Sequence, residues 1–160
     1  MAAALLTAQN LIDRLDGGAE ELRRLAGDDG TGVYNATAVA RAIATTSEEG
    51  YGILMSGFPT VAAVQALVAN DDACLNALCQ ICRYVLTQWK HQFRLPDGTA
   101  IFAKDAREAR DLLREKARGG KRSSAEAVTP NGPGSSTLLR PRASSGPARS
   151  ILTDSSGKPF

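Results

Sequence analysis

The sequence predicts an all-α fold: a compact multi-helix domain over residues 1–118, then a disordered basic C-terminal tail over 119–160. Three observations predict it. Apolar residues recur at steps of three and four along most of the first part of the chain. Aromatics make up only 5% of the residues, so the core has to be built from Leu, Val, Ile and Ala. Ala-rich apolar faces favour closely packed helices over sheets. From Lys121 onward Ser, Pro and Gly dominate, and apolar residues are isolated apart from Leu138-Leu139 and Ile151-Leu152. Such a segment buries too little surface to offset the entropy of ordering it.

Leu5, Ala8, Leu11, Ile12 and Leu15, then Leu22, Leu25 and Ala26, keep a helical spacing interrupted at Gly17-Gly18. Each glycine costs a helix interior roughly 1 kcal/mol against Ala, so two short helices or one broken helix are expected. Asp28-Asp29-Gly30-Thr31-Gly32 reads as a loop. It lacks the spaced ligands and closing Glu of a calcium loop. Asn35 can cap a helix from Ala36 to about Thr46, ended by Ser47-Glu48-Glu49-Gly50. Tyr51 to Pro59, punctuated by Gly52 and Gly57, reads as a strand or an irregular buried connector. Thr60 caps a further helix carrying Val61, Val64, Leu67 and Val68. Asn70-Asp71-Asp72 breaks it, and Asp71 or Asp72 caps the next.

That next helix, from Asp72 to Phe93, is the expected centre of the fold. Leu75, Leu78, Cys82, Val85 and Trp89 fall on one face and are the expected core anchor, with Ile81 and Leu86 widening the stripe. Leu95-Pro96-Asp97-Gly98-Thr99 is a turn: Pro presets φ and Gly accepts a positive one. Ala100 to Ala103 reads as a short extended piece. Asp105 caps a last helix with Ala106, Ala109, Leu112, Leu113 and Ala117 on its inner side, stopped at Gly119-Gly120.

No enzyme signature survives inspection, and no cofactor or metal is expected. Cys79-Gln80-Ile81-Cys82 has a ligand-like spacing, with Cys74 before it and His91 after. On one helix, however, Cys74 and His91 stand several turns apart, so the thiols read as core packing. A redox pair would place its first Cys at a helix N-terminus, which this one does not. His91, the only His, has no recognisable nucleophile beside it. The acidic pairs sit where caps and solvation explain them, and no phosphate loop or dinucleotide fingerprint occurs. Three clustered Cys are no disulfide framework, and Met1-Ala-Ala-Ala-Leu-Leu lacks a basic leader region. A reducing, intracellular setting with no membrane partner is expected.

The charge distribution is the better lead. Met1 to Asp72 carries four basic and ten acidic residues, net −6, and the remainder carries 15 basic and 7 acidic, net +8. An acidic front and a basic back suit a polyanion partner, or head-to-tail contact between copies. Arg83, Lys90, Arg94 and Lys104 lie around the turn between the two strongest helices. Arg107, Arg110, Arg114 and Arg118 recur at three and four as a basic stripe. These eight are the candidate RNA-binding residues, since Arg suits bidentate phosphate contacts. Tyr84, Trp89, Phe93 and Phe102 lie near enough in sequence to stack bases.

At Cys82-Arg83-Tyr84, then Trp89, then Phe102-Ala103-Lys104-Asp105, the chain resembles coat proteins of flexuous filamentous RNA viruses. The likeness covers Leu75 to Arg118. It implies a helical subunit that polymerises and holds genomic RNA in a basic groove, with Arg83 and Asp105 matching the family's core Arg and Asp. The family's Phe-Asp dipeptide is absent here, because Asp105 follows Lys104. Its long N-terminal arm has no counterpart, a role the tail can take.

The expected function is therefore a self-assembling structural protein, such as a viral coat or nucleocapsid subunit, in a virion or the host cytoplasm. Its partners are single-stranded RNA, bound without regard to sequence, and copies of itself. The alternative is an intracellular helical adaptor for a partner protein segment. Its tail would then be regulatory, with serines following Arg140-Pro141-Arg142.

Overall fold

The computed structural model describes residues 3–128, with side chains described to Lys121. Of the expected tail, residues 129–160 lie outside the described residues, whereas 119–128 continue the last helix instead of starting a disordered segment. Six α-helices follow in order: α1 (Ala8–Arg14), α2 (Gly18–Ala26), α3 (Ala36–Leu54), α4 (Val61–Asn70), α5 (Asp72–Thr87) and α6 (Ala103–Val128). A single 3₁₀ turn, His91–Phe93, lies between α5 and α6. Among the described residues there is no strand, only the isolated bridges Asp28 to Tyr34 and Arg94 to Ala100. The fold class is all-α.

Local chemistry sets most boundaries. Thr7 caps α1 in a reciprocal capping box with Asn10. Gly18, at φ 56°, breaks the chain between α1 and α2. Asn35 accepts from the Ala38 amide, and Thr60 from the Ala63 amide. Asp71 accepts from the Ala73 and Cys74 amides and so caps α5. The caps at Asn35, Thr60 and Asp71 are the expected ones.

Several boundaries differ from expectation. Ser47-Glu48-Glu49-Gly50 does not end α3, which runs to Leu54 and absorbs part of the expected Tyr51–Pro59 connector. The reason is tertiary. Ser47 is buried and its Oγ accepts from the Leu5 amide at 3.0 Å. A Cβ on Gly50 would stand 2.8 Å from Leu78 Cδ2, so this glycine lets α3 lie close to α5. Gly119-Gly120 does not end α6 either. Gly120 is buried against Phe58, where a Cβ would meet the ring at 2.7 Å. And α6 starts at Ala103, leaving Asp105 in its exposed first turn rather than at its cap.

α3 and α5 form the centre, with α1, α2 and α4 packed around α5. Leu78 and Cys82 are fully buried, as are Cys74 and Ile81. Leu75 and Val85 are half-buried at the edge of the core. Trp89 is a correction. α5 ends at Thr87, two residues before it, and Trp89 is 79% exposed. The true buried stripe is turned toward Cys74, Ala77, Leu78, Ile81 and Cys82. α6 adds its own stripe of Ala106, Ala109, Leu113 and Ala117. Two ion pairs fix it laterally: Arg110 Nε to Glu49 Oε1 at 2.5 Å and Lys116 Nζ to Asp71 Oδ2 at 2.5 Å.

Candidate interaction surface

The eight expected RNA-binding cations do not form one basic groove. Three are committed to the fold. Arg83 lies 4.6 Å over the Phe102 ring and 3.4 Å from Glu21, with its Nε buried and without a hydrogen-bond partner. Arg110 makes two bonds to Glu49 and lies 5.4 Å from the Tyr84 ring. The Glu49 carboxylate raises the pKa of the Arg110 guanidinium. Lys90 donates its ammonium to the Leu25 carbonyl at 2.5 Å, at the C-terminus of α2. Burial lowers the pKa of that ammonium.

The remaining five are exposed. Arg114 pairs with Asp111 at 2.7 Å, and Lys104 with Glu108 at 3.8 Å. Arg94 donates to the Gln88 carbonyl at 3.0 Å, at the end of α5. Arg94, Arg107 and Arg118 have no ion pair among the described residues. On α6, Asp105, Glu108, Asp111 and Glu115 stand among the exposed cations, so its outer face is mixed in sign rather than a basic stripe.

What the structure adds is the connector from Gln88 to Phe102. Its backbone folds back on itself: Leu95 N donates to Thr99 O at 2.8 Å and Ile101 N to Phe93 O at 2.9 Å. Gly98 takes a φ of 83° at the tip, which a residue with a Cβ rarely adopts. Asp97 accepts from the Thr99 amide at 2.8 Å, and that bond first of all lowers its carboxyl pKa. Phe93 is buried, with its ring 6.3 Å from Phe102, and Arg83 lies over Phe102. The hairpin is thus pinned from below. Above the pins, Trp89, Leu95 (48%) and Ile101 (44%) are exposed. His91, Arg94 and Lys104 are exposed beside them in the chain. Trp89, Leu95 and Ile101 are three of the six large apolar side chains that the described residues leave exposed. The turn chemistry at Pro96 to Thr99 signals the hairpin, but nothing local signals that Trp89 faces outward.

The thiols are packing groups. Cys74, Cys79 and Cys82 are free and buried. Burial pushes the first two up to about 11 and Cys82 up to about 12. Among the described residues, no group of three or more His, Cys, Asp or Glu is placed to hold a metal ion. No described helix is long and apolar enough to cross a membrane.

A second surface was not legible from the sequence. An open groove of about 680 Å³ runs along α2 and the loop after it. Asp16, Glu20, Glu21 and Asp28 line it with Arg23 and Arg24. Arg23 is paired with Glu20 at 2.5 Å and Asp28 at 2.8 Å. Asp16 is exposed, without an ion pair among the described residues. No family model, curated protein or solved structure matches the chain.

Proposed function

We propose that the protein is a self-assembling structural subunit that binds single-stranded RNA, of the coat or nucleocapsid kind, working in a virion or the host cytoplasm. The observation that carries this reading is the connector after α5, which leaves the only Trp of the chain 79% exposed, with Leu95 and Ile101 of the same connector exposed as well. Large apolar side chains left uncovered on a small domain favour contact with another macromolecule. Phosphate contacts then fall to Arg94, Lys104, Arg107 and Arg118, the expected cations with no close ion pair. Arg83, Lys90 and Arg110 act as scaffold instead. The mixed signs on α6 support weak, sequence-independent binding rather than a tight groove.

The test is a titration of the full chain with fluorescently labelled poly(U) across salt concentrations, with negative-stain imaging of the same samples. Affinity that falls steeply with salt, together with ordered assemblies in the presence of RNA, is the expected result. A monodisperse monomer that ignores RNA at low salt overturns it. That outcome favours the adaptor reading, for which the carboxylates interleaved on the outer face of α6 are the supporting observation.

A further inference from the structure

We infer that Trp89 is the stacking platform for one unpaired base of a single-stranded RNA, and that Arg94 holds a phosphate beside it. The inference deepens the RNA-binding half of the proposed function and rests on it. Three observations carry it. The first is the fate of the four aromatic rings near the end of α5. Phe102 has the Arg83 guanidinium 4.6 Å from its ring centre and Phe93 at its side. Tyr84 is half-buried, with Arg110 5.4 Å from its ring, and Phe93 is buried. Trp89 is exposed, and no ring or cation lies over it among the described residues. Of the four, it is the ring left open for stacking.

The second observation is the seat of that ring. Gln88 N donates to Tyr84 O at 2.8 Å, and Lys90 N donates to Thr87 O at 2.9 Å. The Lys90 side chain is itself tied to the Leu25 carbonyl. The backbone on both sides of Trp89 is therefore held, and a ring on a held backbone loses little further freedom when a base meets it. The third is the neighbouring cation. Arg94 Nη2 donates to the Gln88 carbonyl at 3.0 Å, one residue before Trp89, and Arg94 has no ion pair among the described residues. Its other N–H groups are left for the planar, two-point grip that Arg gives a phosphate. An open ring with a guanidinium beside it matches the alternation of base and phosphate along a single strand. Every base has a face to stack, so such a site is indifferent to sequence. In a duplex those faces are already stacked on one another, so the site selects unpaired strands. A stable protein interface instead takes about 800 Å² from each partner, which one side chain does not supply.

Trp89 is the only Trp of the chain, so tryptophan emission reports this residue alone. The full chain is titrated at low salt with a short oligouridylate, with the same strand annealed to oligoadenylate, and with inorganic polyphosphate. Anisotropy of a labelled oligouridylate measures affinity across salt, and circular dichroism confirms the fold of each variant. Oligouridylate is expected to quench the emission, and the duplex and polyphosphate are expected to leave it unchanged. Trp89→Ala is expected to weaken oligouridylate binding at least about fivefold, the low end for one lost stacked base, with the salt slope unchanged. Trp89→Phe is expected to recover most of that loss. Arg94→Ala is expected to keep the quenching at saturation and to lower the slope of log affinity against log salt by about 1. Salt-dependent binding without quenching, equal quenching by polyphosphate or duplex, or wild-type affinity in Trp89→Ala would each overturn the stacking site while RNA binding stands. No binding of oligouridylate at low salt overturns both. A blue shift of the emission as protein concentration rises without RNA means that another chain covers the ring, and that too overturns the inference.

Discussion

A Cβ placed on Gly57 would stand 1.8 Å from the carbonyl oxygen of Ala117. The turn after α3 therefore touches the backbone of α6 with nothing between them. Carbonyl oxygens inside a helix cannot retreat without breaking its ladder. Gly57→Ala is expected to lose on the order of 3 kcal/mol, the upper range for overpacking, because the obstacle is backbone rather than a side chain. Gly52 is the control. It lies on α3 with nothing within 4 Å of its Cβ position, so Gly52→Ala is expected to stabilise by about 0.5–1 kcal/mol. Urea denaturation of both variants decides the point. A neutral Gly57→Ala would mean that α6 does not dock where it is described.

Leu78 and Trp89 were expected on one buried face, and they separate. Leu78 is fully buried against α3, whereas Trp89 is exposed. Leu78→Ala is expected to cost about 2–5 kcal/mol. Trp89→Ala is expected to stay within about 0.5 kcal/mol, as exposed positions do. Denaturant midpoints of the two variants check this, and a Trp89→Ala loss near that of Leu78→Ala would refute the exposed placement.

The division between what the sequence revealed and what it hid follows from range. Caps at Asn35, Thr60 and Asp71 act within three residues, so they are legible. So is the turn at Pro96 to Gly98. The end of α5 is not. Thr87 Oγ1 turns back to the Arg83 carbonyl at 2.8 Å, and Lys90 is drawn to the end of α2, which is distant in sequence. The apolar spacing runs on past the helix it describes, and so misplaces Trp89. The fate of the cations is hidden for the same reason. Glu21 is 62 residues from Arg83, and Glu49 is 61 from Arg110. Spacing shows which residues share a helix face, but not which carboxylate another helix brings to it. Gly50 and Gly120 read locally as breakers, whereas their role is close contact between elements.

The thiols give a chemical readout of the core. All three are buried, and their raised pKa values of about 11 to 12 leave almost no thiolate at neutral pH. Iodoacetamide at pH 8 is expected to modify native protein only through transient opening, and to label all three cysteines promptly in denaturant. Mass spectrometry of the labelled chain counts them. Rapid labelling of Cys82 without unfolding would contradict the closed packing of α5 against α3.

Asp71 joins two helices, capping α5 with one carboxylate oxygen and meeting Lys116 of α6 with the other. The Lys116 bond, foremost, lowers the Asp71 pKa, and the same bond raises that of Lys116. A lowered carboxyl pKa gives stability that is present above the ordinary carboxylate range and is lost as pH falls through the folded value. A raised ammonium pKa gives stability that is present below the ordinary value and is lost as pH rises through the folded one. The pair is therefore strongest across the neutral range. Asp71→Asn keeps a good cap but removes the charge. It is expected to be less stable than wild type at pH 7, with the gap closing at both acid and strongly alkaline extremes. Thermal unfolding across pH, compared between the two proteins, measures it, and a gap independent of pH would rule out the ion pair.

Arg83 and Lys104 separate scaffold from interface. Arg83 is held between the Phe102 face and the Glu21 carboxylate, with little of its guanidinium left for a phosphate. Arg83→Ala is expected to cost about 1–2 kcal/mol in stability, chiefly by removing a partly desolvated cation–π contact. Arg83→Lys should recover little of it, since an ammonium cannot stack as a plane does. Lys104 is 84% exposed on the first turn of α6, with only a 3.8 Å partner. Lys104→Ala is expected to leave stability within about 0.5 kcal/mol. It should also lower the slope of log affinity for poly(U) against log salt by about 1, the signature of one lost phosphate contact. If Arg83→Ala lowers that slope while stability holds, Arg83 faces the RNA and the two roles are reversed. If neither variant moves the slope, phosphate binding does not run through this end of the domain.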